Sequence, residues 1–371
     1  NLNSSSIHVS WNDILLQLLD DSTIASKRWI YQQYDHQVQS NTVVLPGEAD
    51  AAVIRLRPQD VSSQSTSSNN RGIASVVDCP NRWVALDPER GAIAAVAESA
   101  RNLSCVGAEP LAVTNNLNFS SPDNPIGYWK LAKSCEGISK ACLALNTPIT
   151  GGNVSLYNET RLIDGTIAPI HPTPVIGMVG LVDDLNKLCR SNWIKEGDSI
   201  FMIGSDFNSL EFDNQYITLS ATTYLECVHN YVKGRPPIID LELESLIQLF
   251  LRNSINKGFI SSAHDLSDGG LAVSIAECCI GSNLGAEINL PDLEIRIDKL
   301  LFSEGGSRIL VSLSDEKISS FRNDFDDFNK VNQKKIPLLY LGKVSSNSKL
   351  KIKYKSNYLI DLSIQKLVDS F

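Results

Sequence analysis

The stretch PITGGNVSLYNE, Pro148 to Glu159, decides how the rest of this chain is read. It sets two adjacent glycines, an amide, a hydroxyl, a tyrosine and a carboxylate close together. A glycine pair between ordered elements marks a place where something approaches the backbone closely, because no Cβ stands in the way. Asn153 and Ser155 are separated by one residue. In an extended chain their side chains share a face and can converge on one ligand. On the stretch alone two readings stay open: a nucleotide or phosphate site, or a tight turn with an Asn-Ser cap.

Its flanks are ordered. Tyr128 to Leu145 has the pattern of an amphipathic helix, and Val175 to Val182 that of a buried strand. LAVTNNLNF (111–119) reads as a strand whose end carries Asn115, Asn116 and Asn118. LDPERGAIAAVAESARNLSCVGAEP (86–110) opens a helix: Asp87 can cap, Pro88 takes the first helical position and Glu89 complements the dipole. Upstream, residues 11–35 read as helix and 40–58 as two strands around a Pro46-Gly47 turn. The Ser/Thr/Asn tract at 62–72 reads as a flexible loop, and GIASVVDCP as a short strand ending in Asp78. A polar stretch after residue 182 places a domain boundary near 190, giving units 1–190 and 191–371.

The second unit alternates similarly. SIFMIG (199–204) is a buried strand, followed by a polar insertion at 205–217. Residues 240–258 show helical Leu/Ile spacing with Gly258 at the end. In AHDLSDGGLAVSIAECCIG (263–281), Ser267 or Asp268 can cap a helix opening at Gly269-Gly270, whose free N–H groups would suit an anion. FSEGGSR (302–308) turns into a strand, and the charged stretch 314–330 reads as a solvated helix.

At 371 residues and 40.7 kDa the chain can build two full cores. A net charge of -9 and a pI near 5.1 argue against a nucleic-acid partner. No run approaches the ~20 apolar residues a membrane helix needs. The N-terminus lacks the basic and apolar regions of a signal peptide. The eight cysteines lack paired metal spacing and read as small buried hydrophobes in a reducing compartment, hence a cytoplasmic protein. A first residue of Asn suggests a piece of a longer polypeptide. Nucleophile-elbow, HEXXH, CXXC, EF-hand, Walker A and GxGxxG patterns are absent from the sequence. Asp78, Asp87, Asn102, Asn115 and Asn153 are hard oxygen donors suited to Mg²⁺.

Several blocks together carry a resemblance. They are IASKRWIYQQYDHQVQSNTVV (24–44), residues 86–119, TPITGGNVSLYNE (147–159), PTPVIGMVGLV (172–182), GRPPIIDLE (234–242), SAHDLSDGGLAVSIAE (262–277) and LGKV (341–344). In order and over nearly the whole chain, the sequence resembles the synthetase subunit of the phosphoribosylformylglycinamidine synthase family, related to aminoimidazole ribonucleotide synthetase. That family's subunit looks like a tandem of two related halves, and these blocks match the second. The fold implied is α+β: an N-terminal sheet-and-helix domain and a C-terminal α/β sandwich-like domain.

The family's first half places a K-x-E-x-H-N-H-P segment nine residues before an E-P-Y-Q-G-A helix start. Here Asp78 precedes Asp87 by nine, so the position of the catalytic histidine falls at Pro80 and the family's Arg-Asp pair at Arg101-Asn102. The resemblance therefore implies no catalytic residue in this half, which alone should not turn over. It implies that Asn115, where the family has aspartate, and Gly152 contact ATP, that Asn153 ligates Mg²⁺, and that Ser155 binds the ribonucleotide.

The activity implied is ATP-dependent conversion of formylglycinamide ribonucleotide to the amidine. Ammonia would come from a glutaminase subunit and a small accessory subunit, and the other half would be a partner. Alternatives are a purely structural half with an auxiliary ADP pocket, or an independent relative of the selenophosphate synthetase or thiamine-phosphate kinase type. His36 reads as a strand contact or a catalytic group, and His264-Asp265 as phosphate contacts or helix caps.

Overall fold

The computed structural model describes residues 10–57, 70–204 and 215–371. Most of the expected loop at 62–72 and most of the insertion at 205–217 lie outside the described residues. The chain opens with α1 (Trp11–Leu19), α2 (Arg28–Tyr31), β1 (Thr42–Val44), β2 (Ala52–Arg55), β3 (Gly72–Asp78) and α3 (Asn81–Leu86). Then come α4 (Pro88–Cys105), β4 (Glu109–Asn118), α5 (Pro125–Leu145), β5 (Ile149–Ser155), β6 (Glu159–Arg161), β7 (Ile167–Pro169) and β8 (Thr173–Val182). The first sheet runs β1-β2-β3-β8-β4-β5; its pairs are antiparallel except β4–β5, which is parallel.

That parallel pair dictates the long return through α5, since parallel neighbours need a crossover. Asn124 caps α5 by accepting from Ile126 N–H, with Pro125 at its first position, and Asn146 ends it in the left-handed conformation at φ 55°. Helix α4 begins as its sequence dictates: the Asp87 carboxylate accepts from Arg90 N–H and Pro88 follows. Its alanines let it sit deep, burying Ala92, Ala95, Val96 and Ala100 against Val113, Ile176 and Met178 of the sheet.

The second unit comprises β9 (Ser199–Gly204), α6 (Thr223–His229), α7 (Leu241–Asn256), β10 (Ser262–Asp265), α8 (Gly270–Ser282), β11 (Gly285–Leu290), α9 (Ile297–Phe302), β12 (Arg308–Leu313) and α10 (Asp315–Val331). It closes with β13 (Leu338–Ser345), β14 (Lys349–Tyr354), β15 (Asn357–Ser363) and α11 (Ile364–Ser370). Its sheet runs β10-β12-β9-β13-β11-β14-β15. Helices cover both faces. One core gathers Phe201, Phe250, Phe321 and Phe325 under α7 and α10; the other gathers Leu271, Ile275, Leu300 and Leu367 under α8, α9 and α11.

Three expectations need correction. Residues 11–35 are not one helix: Thr23 N–H bonds the Asp21 carboxylate and turns the chain between α1 and α2. The first helix also joins the second unit, burying Ile14, Leu15, Leu18 and Leu19 in its core. Helix α10 is not simply solvated, because Phe321 and Phe325 anchor its inner face.

Candidate functional site

Strand β5 carries the quoted glycine pair and lies at the edge of the first sheet. Ile149 to Val154 are all exposed, and only Ser155 is half-buried. An edge strand leaves one side of its backbone open to pairing or ligation. The parallel register sets Asn115 against Gly152, Asn116 against Asn153 and Asn118 against Ser155. The four residues singled out for the site therefore lie on the paired strands β4 and β5.

Alternation divides them between two faces. Val113 and Leu117 are buried toward the helices, so Asn115 and its neighbour Gly152 face α5. Thr114, Asn116 and Asn118, with Gly151, Asn153 and Ser155, lie on the opposite face. There Asn153 Nδ2 donates to Asn116 Oδ1 at 3.2 Å, leaving Asn153 Oδ1 for a ligand. Gly152 has a steric reason: a Cβ on it would come within 2.1 Å of Asn115 Oδ1. At Gly151 a Cβ would meet nothing within 4 Å. The strand's exit is fixed by Asn158, whose Nδ2 donates to Ser155 O at 2.8 Å and Phe119 O at 3.1 Å. Tyr157 follows at φ 59°, a strained conformation for a bulky side chain.

A second polar region lies between the two units, in a cavity of about 180 Å³. It is lined by Asp78, Cys79, Pro80, Glu98, Arg101 and Ser267 among others. Pro80, which the resemblance sets at the general-base position, starts α3 and brings no titratable group. Arg101 is spent on carboxylates: it pairs with Asp265 through Nε and Nη2, and its Nη1 meets Glu244 Oε1 at 2.9 Å. Asn102 Nδ2 donates to Asp78 Oδ1 at 3.3 Å. Burial pushes the Asp78 carboxyl up to about 6, and burial with the nearby Asp78 and Asp265 charges raises Glu98 well above the usual carboxylate range. Burial also pushes the Cys79 thiol up to about 12, which makes it a poor nucleophile.

The second glycine pair is not an anion site. Gly269 itself caps α8 at φ 74°, and no side chain of Ser267 or Asp268 does so. Ser267 donates instead to Glu98, and Asp268 pairs with Arg82 at 3.2 Å. The acceptor at this helix end is the chain's own Glu304 carboxyl, whose Oε1 accepts Gly269 N–H and Thr223 N–H at 2.8 Å each, capping α8 and α6 together. Sequence reasoning passed over this buried carboxylate, and an acid before a Gly-Gly turn was the signal for it.

His264 and Asp265 are not free for phosphate either. His264 Nδ1 contacts Asp50 Oδ1 at 2.6 Å and Nε2 contacts Glu277 Oε2 at 3.2 Å, while Asp265 is taken by Arg101. Burial alone would lower His264, but Asp50 and Glu277 raise its pKa well above the ordinary value. His36 is exposed and bonds only locally, its Nδ1 3.2 Å from Tyr34 O.

The architecture is that of a two-domain α+β unit, a mixed sheet with helices on one face joined to a sheet covered on both. It matches the description "AIR synthase related protein", N-terminal domain over residues 48–182 and C-terminal domain over 195–333. The chain belongs to this AIR synthase related family. It is similar to the phosphoribosylformylglycinamidine synthase subunit PurL of two Prochlorococcus marinus strains. One is 58% identical over 363 residues, covering 98% of this chain and 45% of the relative. The other is 58% identical over 374 residues, covering 100% and 47%. The chain thus spans about half the length of the curated relatives it matches, their C-terminal half. Among solved structures, T. maritima PurL complexed with FGAR shares the fold, with a TM-score of 0.69 at 16% identity over 96% of this chain and 52% of that one. Among the described residues, no helix is long and apolar enough to cross a membrane.

Proposed function

We propose that this chain is the second half of an ATP-dependent, cytoplasmic formylglycinamidine ribonucleotide synthase and supplies one wall of its active site. The observation that carries the reading is the β4–β5 pair, where Asn115 of β4 stands in register with the edge strand that carries Gly152, Asn153 and Ser155. Gly152 and Asn115 would contact ATP, and Ser155 the ribonucleotide. The general base would come from the other half, since Pro80 occupies its position here. Ammonia would come from a glutaminase subunit, with a small accessory subunit completing the assembly.

The reaction activates the formamide oxygen as an iminophosphate, and ammonia then displaces phosphate. Such chemistry rests on positioning and on neutralising phosphoryl charge, so backbone N–H groups and neutral amides suit it better than a nucleophile. Asn153 Oδ1 and the adjacent Asn116 would be the Mg²⁺ contacts. They are hard but neutral oxygens, a set that fits Mg²⁺ when phosphate oxygens bring the charge. When bound, the ion neutralises the phosphoryl oxygens.

An auxiliary ADP pocket in the cavity between the units is not favoured: at about 180 Å³ it is below the ~300 Å³ where ligand pockets begin, and carboxylates dominate it. Combining the chain with its other half and assaying amidine formation tests the proposal. Asn153→Ala and Ser155→Ala should each abolish most of the activity without lowering the melting temperature. Unchanged activity in both would refute the assignment.

A further inference from the structure

We propose that Asp50, His264 and Glu277 form a pH-sensitive clasp between the two units. The His264 ring holds two protons, and losing one releases the β1–β2 turn of the first unit while the arginine ties between the units stay closed. The clasp stands apart from the proposed activity and works without substrate.

The geometry requires the doubly protonated ring. Asp50 sits in the turn between β1 and β2, with its Oδ1 2.6 Å from His264 Nδ1. Glu277, on α8, places its Oε2 3.2 Å from His264 Nε2. A neutral imidazole has one N–H and one lone pair, so one nitrogen would turn its lone pair on a carboxylate oxygen. Only the imidazolium donates to both. The other Asp50 oxygen accepts Asp265 N–H at 2.8 Å. One first-unit carboxylate thus holds two consecutive residues of β10. That strand is the edge of the second sheet, and its Ala263 N–H likewise leaves the sheet, for Arg190 O.

Among the described residues, the other ion pairs that cross between the units use arginines, Arg82, Arg101 and Arg235 among them. A guanidinium keeps its charge at any working pH. The histidine does not. Its charged and titratable neighbours are Glu48 and Asp50 of the turn, Glu277 and Cys278 of α8, Asp265 of β10, Arg101 and Cys105 of α4, and Lys27 and Arg28 ahead of β1. Burial pushes both thiols well above their usual range, which keeps them silent. Burial lowers Lys27, which makes it the other group able to titrate above neutrality. A ring freed from its carboxylates returns to an ordinary value near ~6.5. The turn is therefore fully held below that pH, and its hold weakens as pH rises toward the raised folded-state value.

Amide hydrogen exchange of the full-length protein between pH ~6 and 9, corrected for the intrinsic pH dependence of exchange, tests the clasp. Protection of the turn at 45–51 and of the Asp265 amide should fall by up to about tenfold per pH unit above ~6.5, the limit set by one proton. Protection of α7, tied by Arg101 to Glu244, should stay level. His264→Gln should lower the protection of the turn at pH ~6 and remove its slope. Glu277→Gln changes a partly exposed side chain and keeps the fold intact, so it serves if His264→Gln does not fold. With one carboxylate gone, its decline should level off at a lower pH. Lys27→Arg should leave the slope as it is. Level protection of the turn in the native protein, or a slope that survives His264→Gln or is unmoved by Glu277→Gln, overturns the proposal. So does a slope lost in Lys27→Arg, or one that α7 shares with the turn.

Discussion

The β4–β5 edge and the cavity between the two units are both rich in polar side chains, yet they are opposite kinds of place. The edge is exposed and neutral, an array of amides and hydroxyls with hydrogen-bonding capacity left over. The cavity is enclosed and acidic, and most of its polar groups answer one another: Arg101 to Asp265 and Glu244, Ser267 to Glu98, Asn102 to Asp78 Oδ1, with Asp78 Oδ2 left without a partner. Polar groups that saturate each other hold a fold together, and polar groups left over are what a ligand can use. In the proposed reading the groups around Asp78 and Pro80 serve the fold, and the glycine strand serves the ligand.

The largest effect should come from the cavity. Arg101→Met leaves Asp265 and Glu244 buried without their partner, and breaking a buried pair this way costs ~3–5 kcal/mol. Chemical denaturation measures it. Asn153→Ala, on the exposed edge, should change stability by less than ~0.5 kcal/mol. Equal losses would erase the distinction between the two regions.

Next comes Gly152→Val. A strand accepts valine readily, but its Cβ would displace the Asn115 side chain 2.1 Å away. Nucleotide affinity should fall about tenfold, ~1.4 kcal/mol, with melting nearly unchanged. Calorimetric titration of the full-length protein decides it, and an unaltered Kd would show that Asn115 is not a contact.

A third effect is a slope and not a step. Burial first, then Asp268, pushes Glu304 up to about 8, above its ordinary value near ~4.3. A raised folded-state pKa gives stability that is full below the unfolded value and is lost as pH rises through about 8. Glu304→Gln keeps an acceptor for Gly269 and Thr223 but cannot ionise. Its stability should therefore fall less than the native chain's between pH ~4 and 8. Parallel curves would mean that Glu304 stays ionised at its helix ends.

Local signals made much of this legible in the sequence. Asp87-Pro88 announced α4, and GGNVS announced an extended stretch with Asn153 and Ser155 on one face. The family resemblance, carried by motifs, pointed to the same residues. What stayed hidden depends on distant partners. Ser267 looked like a cap, but Glu304 reaches α8 from 35 residues away and Ser267 turns to Glu98. His264 reads in sequence as a phosphate contact or a helix cap, but the fold sets Asp50, 214 residues away, against it. Helix α1 could not be assigned to the second unit because its apolar stripe says that it packs, not on what. The division of Asn115 and Gly152 from Asn153 and Ser155 across two faces needed the β4–β5 register, which no single stretch encodes.

One measurement tests the contrast most directly: amidine formation by the full-length protein carrying changes in one region or the other. The Asn153→Ala/Ser155→Ala double variant should lose ~10²-fold or more, as when a group that binds the reacting centre is removed. Asp78→Asn/Glu98→Gln, in the cavity, should stay within about twofold, because conservative changes away from the reacting groups leave transition-state binding intact. The reverse pattern, an active edge variant and a dead cavity variant, would contradict the account.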